Sequence, residues 1–89
     1  MPQAIVDPDD LRQFARNLKK FNAELRDQVN ALHNQMVSLG GSWRDQEQRK
    51  FTEMFEQQMS VMMRFTEESD EHVPYLLRKA EHIENYLQS

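Results

Sequence analysis

The sequence has no cysteine, so disulfides, thiolate nucleophiles and most structural zinc sites are excluded together, while nothing follows about compartment. Glycine is nearly as scarce. Gly40 and Gly41 are the only two in 89 residues, which leaves no glycine-rich loop to cradle a phosphate. No apolar run approaches the roughly 18 residues of a membrane span, so membrane insertion is not expected. The stretch from Met1 to Asp10 lacks a basic segment followed by an apolar one, so export, if any, is expected without a cleaved signal peptide. Basic charge is in deficit: 11 Lys and Arg stand against 15 Asp and Glu, and a net charge of −4 argues against nucleic acid as a partner.

What is present is helix-forming sequence on both sides of one turn. Met1 to Val6 has no periodicity and reads as a loose lead. Asp7-Pro8-Asp9-Asp10 then marks a helix start, with Asp7 as N-cap, Pro8 where its missing N–H costs nothing, and acids near the positive end of the helix dipole. Leu11, Phe14, Leu18, Phe21, Leu25, Val29, Leu32, Met36 and Leu39 follow at steps of three and four and fall within an arc of roughly 80°, a narrow seam. Such a helix is on the order of 45 Å long, closer to a coiled-coil stave than to a globular helix. Arg12, Arg16, Lys19, Lys20, Glu24, Arg26 and Asp27 occupy its other faces and read as solvated surface.

Leu39-Gly40-Gly41-Ser42-Trp43-Arg44-Asp45 is where the chain folds back. Gly40 or Gly41 is expected to close the first helix in a left-handed conformation, and Ser42 with Asp45 has the spacing of a capping box that opens the second. Trp43, the only tryptophan, falls in the first turn of the new helix, where it either plugs the end of the core or stands exposed for recognition. The second helix is broader in its apolar surface: Trp43, Phe51, Met54, Phe55, Met59, Val61, Met62, Met63 and Phe65 spread over roughly 200°. One neighbour cannot cover that. A second hairpin can, which predicts an all-α helix-turn-helix hairpin, helices at about 8–39 and 43–88, that dimerises into a four-helix bundle. Phe51, Phe55, Met59, Val61, Met62 and Phe65 are the expected packing and dimer residues. Met36, Met54, Met59, Met62 and Met63 lie in these apolar sets, and flexible thioethers suit either a bundle core or an adaptable partner surface.

Beyond Pro74 the pattern Val73, Leu76, Leu77, Ala80, Ile83 and Leu87 stays in phase with Phe51, which predicts a kink near Asp70 to Val73, with a true break and a short third helix as the alternative. The acids Glu67, Glu68, Asp70 and Glu71 beside His72 are read as a solvated acidic patch, and His33 and His82 have no evident reason to join them in a metal site. No nucleophile with an adjacent base can be nominated, so neither enzymatic activity nor a cofactor is expected.

The opening Asp-Pro-Asp-Asp-Leu, the mid-chain turn with Trp43 just after it, and Phe51 eight positions further resemble the WxG-type, early-secreted-antigen-like proteins of type VII secretion systems, across nearly the whole chain. The resemblance implies a helical hairpin that forms homodimers or heterodimers with a similar hairpin protein and is exported through a membrane ATPase, Gly40, Gly41, Ser42, Trp43 and Asp45 forming the turn and recognition motif. Two features depart from the family pattern. The motif glycine is replaced, giving Trp43-Arg44-Asp45, and no Tyr-x-x-x-Asp/Glu tail signal is matched, since Tyr75 is followed at plus four by Lys79 and Tyr86 is too near the end. The expected function is a small non-enzymatic secreted effector or export partner; a cytoplasmic helical-hairpin adaptor or chaperone that holds a partner helix is the alternative.

Overall fold

The computed structural model describes residues 6–88; Ser89 and Met1 to Ile5, which include most of the stretch read as a loose lead, lie outside them. Two helices account for almost everything described. α1 runs Pro8–Leu39 and α2 runs Gln46–Gln88, side by side and antiparallel in a rod of 66 × 22 × 15 Å. Asp7 caps α1 as expected, its Oδ1 accepting from the Asp9 backbone N–H at 2.8 Å.

The seam between the helices is set by residues seven apart. On α1 the buried positions are Ala15, Asn22, Val29 and Met36; on α2 they are Met59, Thr66, Val73 and Ala80, with Ser69 beside them. A strict seven-residue spacing keeps one stripe of each helix facing its neighbour along the whole rod. This corrects the expected α1 seam. The buried stripe includes Ala15 and Asn22, which lie outside the apolar arc, while Phe14, Phe21, Leu32 and Leu39 at the arc's far edge are about half exposed.

Packing is uneven along the rod. Towards the turn Val29, Met36 and Met59 form an apolar cluster with Leu25, Phe55, Met62 and Met63 packed against it. Towards the open end the buried apolar residues are Ala15, Val73 and Ala80, with Leu11, Leu18, Leu76 and Ile83 half-buried. An alanine methyl gains about 0.8 kcal/mol on burial, a valine or methionine side chain about 1.5–3, so the fully buried residues of the turn half contribute more than those of the open half.

Between the halves lies a polar layer. The Asn22 carboxamide is fully buried and donates to Ser69 Oγ at 2.7 Å and to Asp70 Oδ1 at 2.9 Å, while Arg26 donates to Asp70 Oδ2 at 2.8 Å. Thr66 and Ser69 return their hydroxyl protons to their own helix, at the Met63 and Phe65 carbonyls. Two heptads further towards the open end, the Arg12 guanidinium spans both oxygens of Glu84 at 3.1 and 2.8 Å. Arg12, Arg26 and Asp70 are therefore inter-helix ties, not the solvated surface and acidic patch that their spacing suggested.

α2 passes through Pro74 without interruption, which removes the short third helix from consideration. The proline is exposed, and the one backbone bond it forfeits is its own N–H to the Asp70 carbonyl.

Hydrogen bonding from Asn22, then from Arg26, holds the Asp70 carboxyl below its ordinary value, and Arg12 does the same for Glu84. A carboxylate depressed on folding contributes stability that is fully present above its unfolded pKa and is lost as pH falls through the folded one. Melting temperature should therefore decline as the protein is acidified through the ordinary carboxylate range. Asp70→Asn should melt lower at neutral pH and decline less on acidification; circular-dichroism melts across pH compare the two, and parallel curves would refute the assignment.

Candidate functional site

The turn is built more tightly than its glycines suggested. Gly40 adopts φ −59°, ψ −17°, and among the described residues no glycine has positive φ. The chain instead continues winding in three-residue steps: the N–H groups of Gly40, Gly41 and Ser42 donate to the carbonyls of Val37, Ser38 and Leu39 at 3.1, 3.1 and 3.0 Å. Tight space, and not a left-handed backbone, is what distinguishes these two positions. A Cβ on Gly40 would stand 3.2 Å from the Val37 carbonyl oxygen, and one on Gly41 would stand 3.3 Å from that of Ser38.

Ser42 is not the cap of α2. Its hydroxyl points back to the Leu39 carbonyl at 3.4 Å, and the helix begins three residues later than expected because Asp45 takes the capping role, its Oδ1 accepting from the Gln48 N–H at 2.9 Å. Arg44 donates from Nε to the Gly40 carbonyl at 3.1 Å, satisfying an otherwise open acceptor at the end of α1. The Trp43-Arg44-Asp45 sequence thus closes one helix and opens the next.

Trp43 is half-buried, its ring centroid 5.9 Å from that of Phe51, which in turn stacks on Phe55 at 5.5 Å. This aromatic row leads from the turn onto one flank of the rod. There Phe51, Met54, Val61 and Phe65 are 39, 51, 63 and 48% exposed, and Phe65 meets Phe21 of α1 edge-on at 6.4 Å. At about 100° per residue, Phe14, Phe21, Leu32 and Leu39 lie on one side of the α1 seam and Arg12 and Arg26 on the other. The hairpin therefore has an ion-paired flank and an apolar flank. Of the residues expected to pack, Met59 is buried in the hairpin's own seam, Phe55 and Met62 are half-buried against it, and Phe51, Val61 and Phe65 stand exposed.

The ion-paired flank opens near the turn into a shallow groove of about 390 Å³, floored by Val29, Met59 and Met63 with His33 and Glu56 at its rim. Among the described residues no group of three or more His, Asp or Glu is placed to hold a metal ion. The Asn22–Ser69–Asp70 layer carries no motif in the sequence; its one signal is the heptad phase that Asn22 shares with Ala15, Val29 and Met36.

A family model described as WXG100, proteins of 100 residues with WXG, matches residues 3–86. No curated protein matches the sequence. Among solved structures, the hairpin is similar to the secreted protein EsxB of Bacillus anthracis str. Sterne, at 28% identity over 97% of this chain and 98% of that one, with a TM-score of 0.74. Two point mutants of the same EsxB, in which a glycine is replaced by alanine and a glutamate by glutamine, match at 28% identity with TM-scores of 0.74 and 0.75; they cover 96 and 97% of this chain, and 98 and 96% of theirs.

The geometry of the turn sets the expected response to changes at its cap. Asp45→Ala should cost about 1 kcal/mol and Asp45→Gly only a few tenths, as at other N-caps, so restoring the motif glycine is nearly neutral for folding. Chemical denaturation of the two variants beside the parent measures the difference; equal losses would show that the Asp45–Gln48 bond does not cap α2.

Proposed function

This chain belongs to the WXG100 family, the WxG-type substrates of type VII secretion, and from that premise we propose that it is a small, non-enzymatic secreted protein that acts as a dimer of hairpins. The observation that carries the dimer is the apolar flank. Phe14, Phe21, Leu32 and Leu39 from α1 and Phe51, Met54, Val61 and Phe65 from α2 leave more large apolar surface on one side of a thin rod than a soluble monomer ordinarily exposes. A second hairpin laid on that flank turns two helices into four and gives the half-buried leucines a full set of neighbours. The partner is a second copy or a similar hairpin protein.

Secretion without a cleaved signal peptide, through the membrane ATPase of a type VII-like system, follows the family and the likeness to a secreted protein of Bacillus anthracis. Tyr75 is followed at plus four by Lys79 and not by an acid, so a co-exported partner that carries the Tyr-x-x-x-Asp/Glu signal is part of the proposal. Trp43 and the turn around it are the proposed recognition element: a half-buried indole at the end of the rod offers an aromatic edge, and aromatic anchors of this kind dominate many interfaces.

Two measurements test this reading. Val61 is the most exposed of the α2 flank residues named here, so Val61→Asp should leave a lone hairpin's stability within about 0.5 kcal/mol. In a dimer it should weaken association by several kcal/mol, roughly 3–5, because an unpaired charge is then buried. Sedimentation equilibrium of the two proteins separates these outcomes, and a folded parent monomer at low micromolar concentration would overturn the dimer. In a host with type VII machinery, Trp43→Ala should abolish export of a chain that still folds; undiminished export per folded molecule would remove the turn from recognition and favour a cytoplasmic adaptor.

A further inference from the structure

The ion-paired flank is tied shut towards the open end and gapes near the turn, and one column of each helix shows why. From the open end, α1 presents Arg12, Lys19, Arg26 and His33 at seven-residue steps, and α2 presents Glu84, Leu77, Asp70, Met63 and Glu56. Arg12 meets Glu84 and Arg26 meets Asp70. One heptad nearer the turn the columns hold His33 and Met63, which make no such tie, and there the groove of about 390 Å³ opens down to the buried Val29 and Met59.

The two walls of the groove differ in charge. On α2, Glu56 lines it, and Glu53, Ser60 and Glu67 follow at seven-residue steps, so an acid stands about two turns to either side of Ser60. All four residues are exposed. The ion pairs of the described residues engage Asp9, Asp70 and Glu84 and leave Glu53, Glu56 and Glu67 without a cation. Arg49, a heptad before Glu56, is the cation that α2 places on this face. On α1 the wall is Asn30 and His33, and the exposed Val37 extends it towards the turn. This flank faces away from the phenylalanines, so a second hairpin laid on the apolar flank leaves the groove open.

We propose that the groove docks a basic amphipathic helix of a partner protein. One apolar side chain of that helix sits on Val29, Met59 and Met63, and Lys or Arg residues on either side of it pair with Glu53, Glu56 and Glu67. A groove of this volume takes one large side chain and not the whole face of a helix, which limits the apolar anchors to one. The flexible thioethers let the floor adjust to the anchor's shape. Charge supplies the rest. The acids lie in a row along the rod, the direction in which a helix beside α2 repeats its own residues, so a cation about two turns from the anchor on each side reaches an acid. This occupant differs from the hairpin proposed for the apolar flank, which needs a broad apolar face of its own.

To test this, the full chain, in whatever oligomer it forms, is titrated with an alanine–lysine helix carrying one central leucine. Binding is read by fluorescence anisotropy and by the methyl resonances of the methionines. Saturable binding tighter than about 1 mM should shift Met59 and Met63 and leave Met54, on the apolar flank, in place. No saturable binding, or a shift at Met54 instead, would overturn the proposal. Glu53→Lys with Glu56→Lys should weaken binding about tenfold. Glu68→Lys with Glu71→Lys makes the same change in net charge at exposed positions on other faces of α2 and should alter binding by less than about twofold. Equal losses would reduce the effect to net charge and sink the acidic wall. A peptide with alanine in place of the leucine should bind about fivefold more weakly, and equal affinity would show that the groove takes no anchor. Met63 shifts that grow with protein concentration before any peptide is added would assign the flank to a second copy of this chain, against the proposed partner.

Discussion

Two helices lying side by side share one seam, and that geometric limit governs the rest of this structure. Each helix can hide a single stripe from water, and α1 and α2 both carry apolar residues well outside theirs. The seven-residue spacing of Ala15, Asn22, Val29 and Met36 against Met59, Thr66, Val73 and Ala80 decides which stripe is hidden. Everything apolar that misses this phase is left on a flank, and most of what is left carries a large side chain: Phe14, Phe21, Phe51, Val61 and Phe65. The incompleteness of the hairpin is therefore built into its seam. In the proposed dimer, a second hairpin would supply the missing layer.

The polar layer at Asn22 looks costly in isolation, since a fully buried carboxamide gives up hydration and stabilises less than a well-packed leucine. Its benefit is register. A buried asparagine in a coiled-coil seam favours one alignment of the helices over those shifted by a turn, and here it meets Ser69 and Asp70 only in the observed alignment. Arg12–Glu84 repeats the Arg26–Asp70 pairing two heptads along, so both ties agree on the same alignment. All of these charges lie on the flank opposite the phenylalanines. Ion pairs on one side and aromatics on the other give the rod a direction for assembly without a pocket or a loop.

At the turn, a few residues both close one helix and open the next. Arg44 and Asp45 satisfy the carbonyl and amide ends that meet there, which frees Trp43 from any capping duty and leaves it stacked obliquely on Phe51. Replacing the motif glycine has thus added a helix cap and left the aromatic in place. That division explains why the Trp43-Arg44-Asp45 variant is compatible with the family fold.

Most of the fold was legible in the sequence because helix periodicity and stop signals are local. The Asp7-Pro8 start, the end of α1 at Leu39, the fold-back at Gly40-Gly41 and an apolar surface on α2 too broad for one neighbour all follow from residues within a turn or two of each other. The same locality limited the reading elsewhere. Whether Ser42 or Asp45 caps α2 depends on where the tightened end of α1 releases the chain, and a capping spacing fits more than one start. Glycine at 40 and 41 signalled a turn, but its reason, crowding by the Val37 and Ser38 carbonyls, is a fact of three-dimensional winding. Which edge of the α1 arc faces inwards, that Asn22 is buried, that Arg26 reaches Asp70, and that Pro74 leaves the helix unbroken were decided only when the two helices came together. Periodicity says that a helix has an apolar side; the rotation of that side towards a neighbour is set by interactions between residues more than forty positions apart, such as Asn22 with Ser69, and no local pattern encodes them.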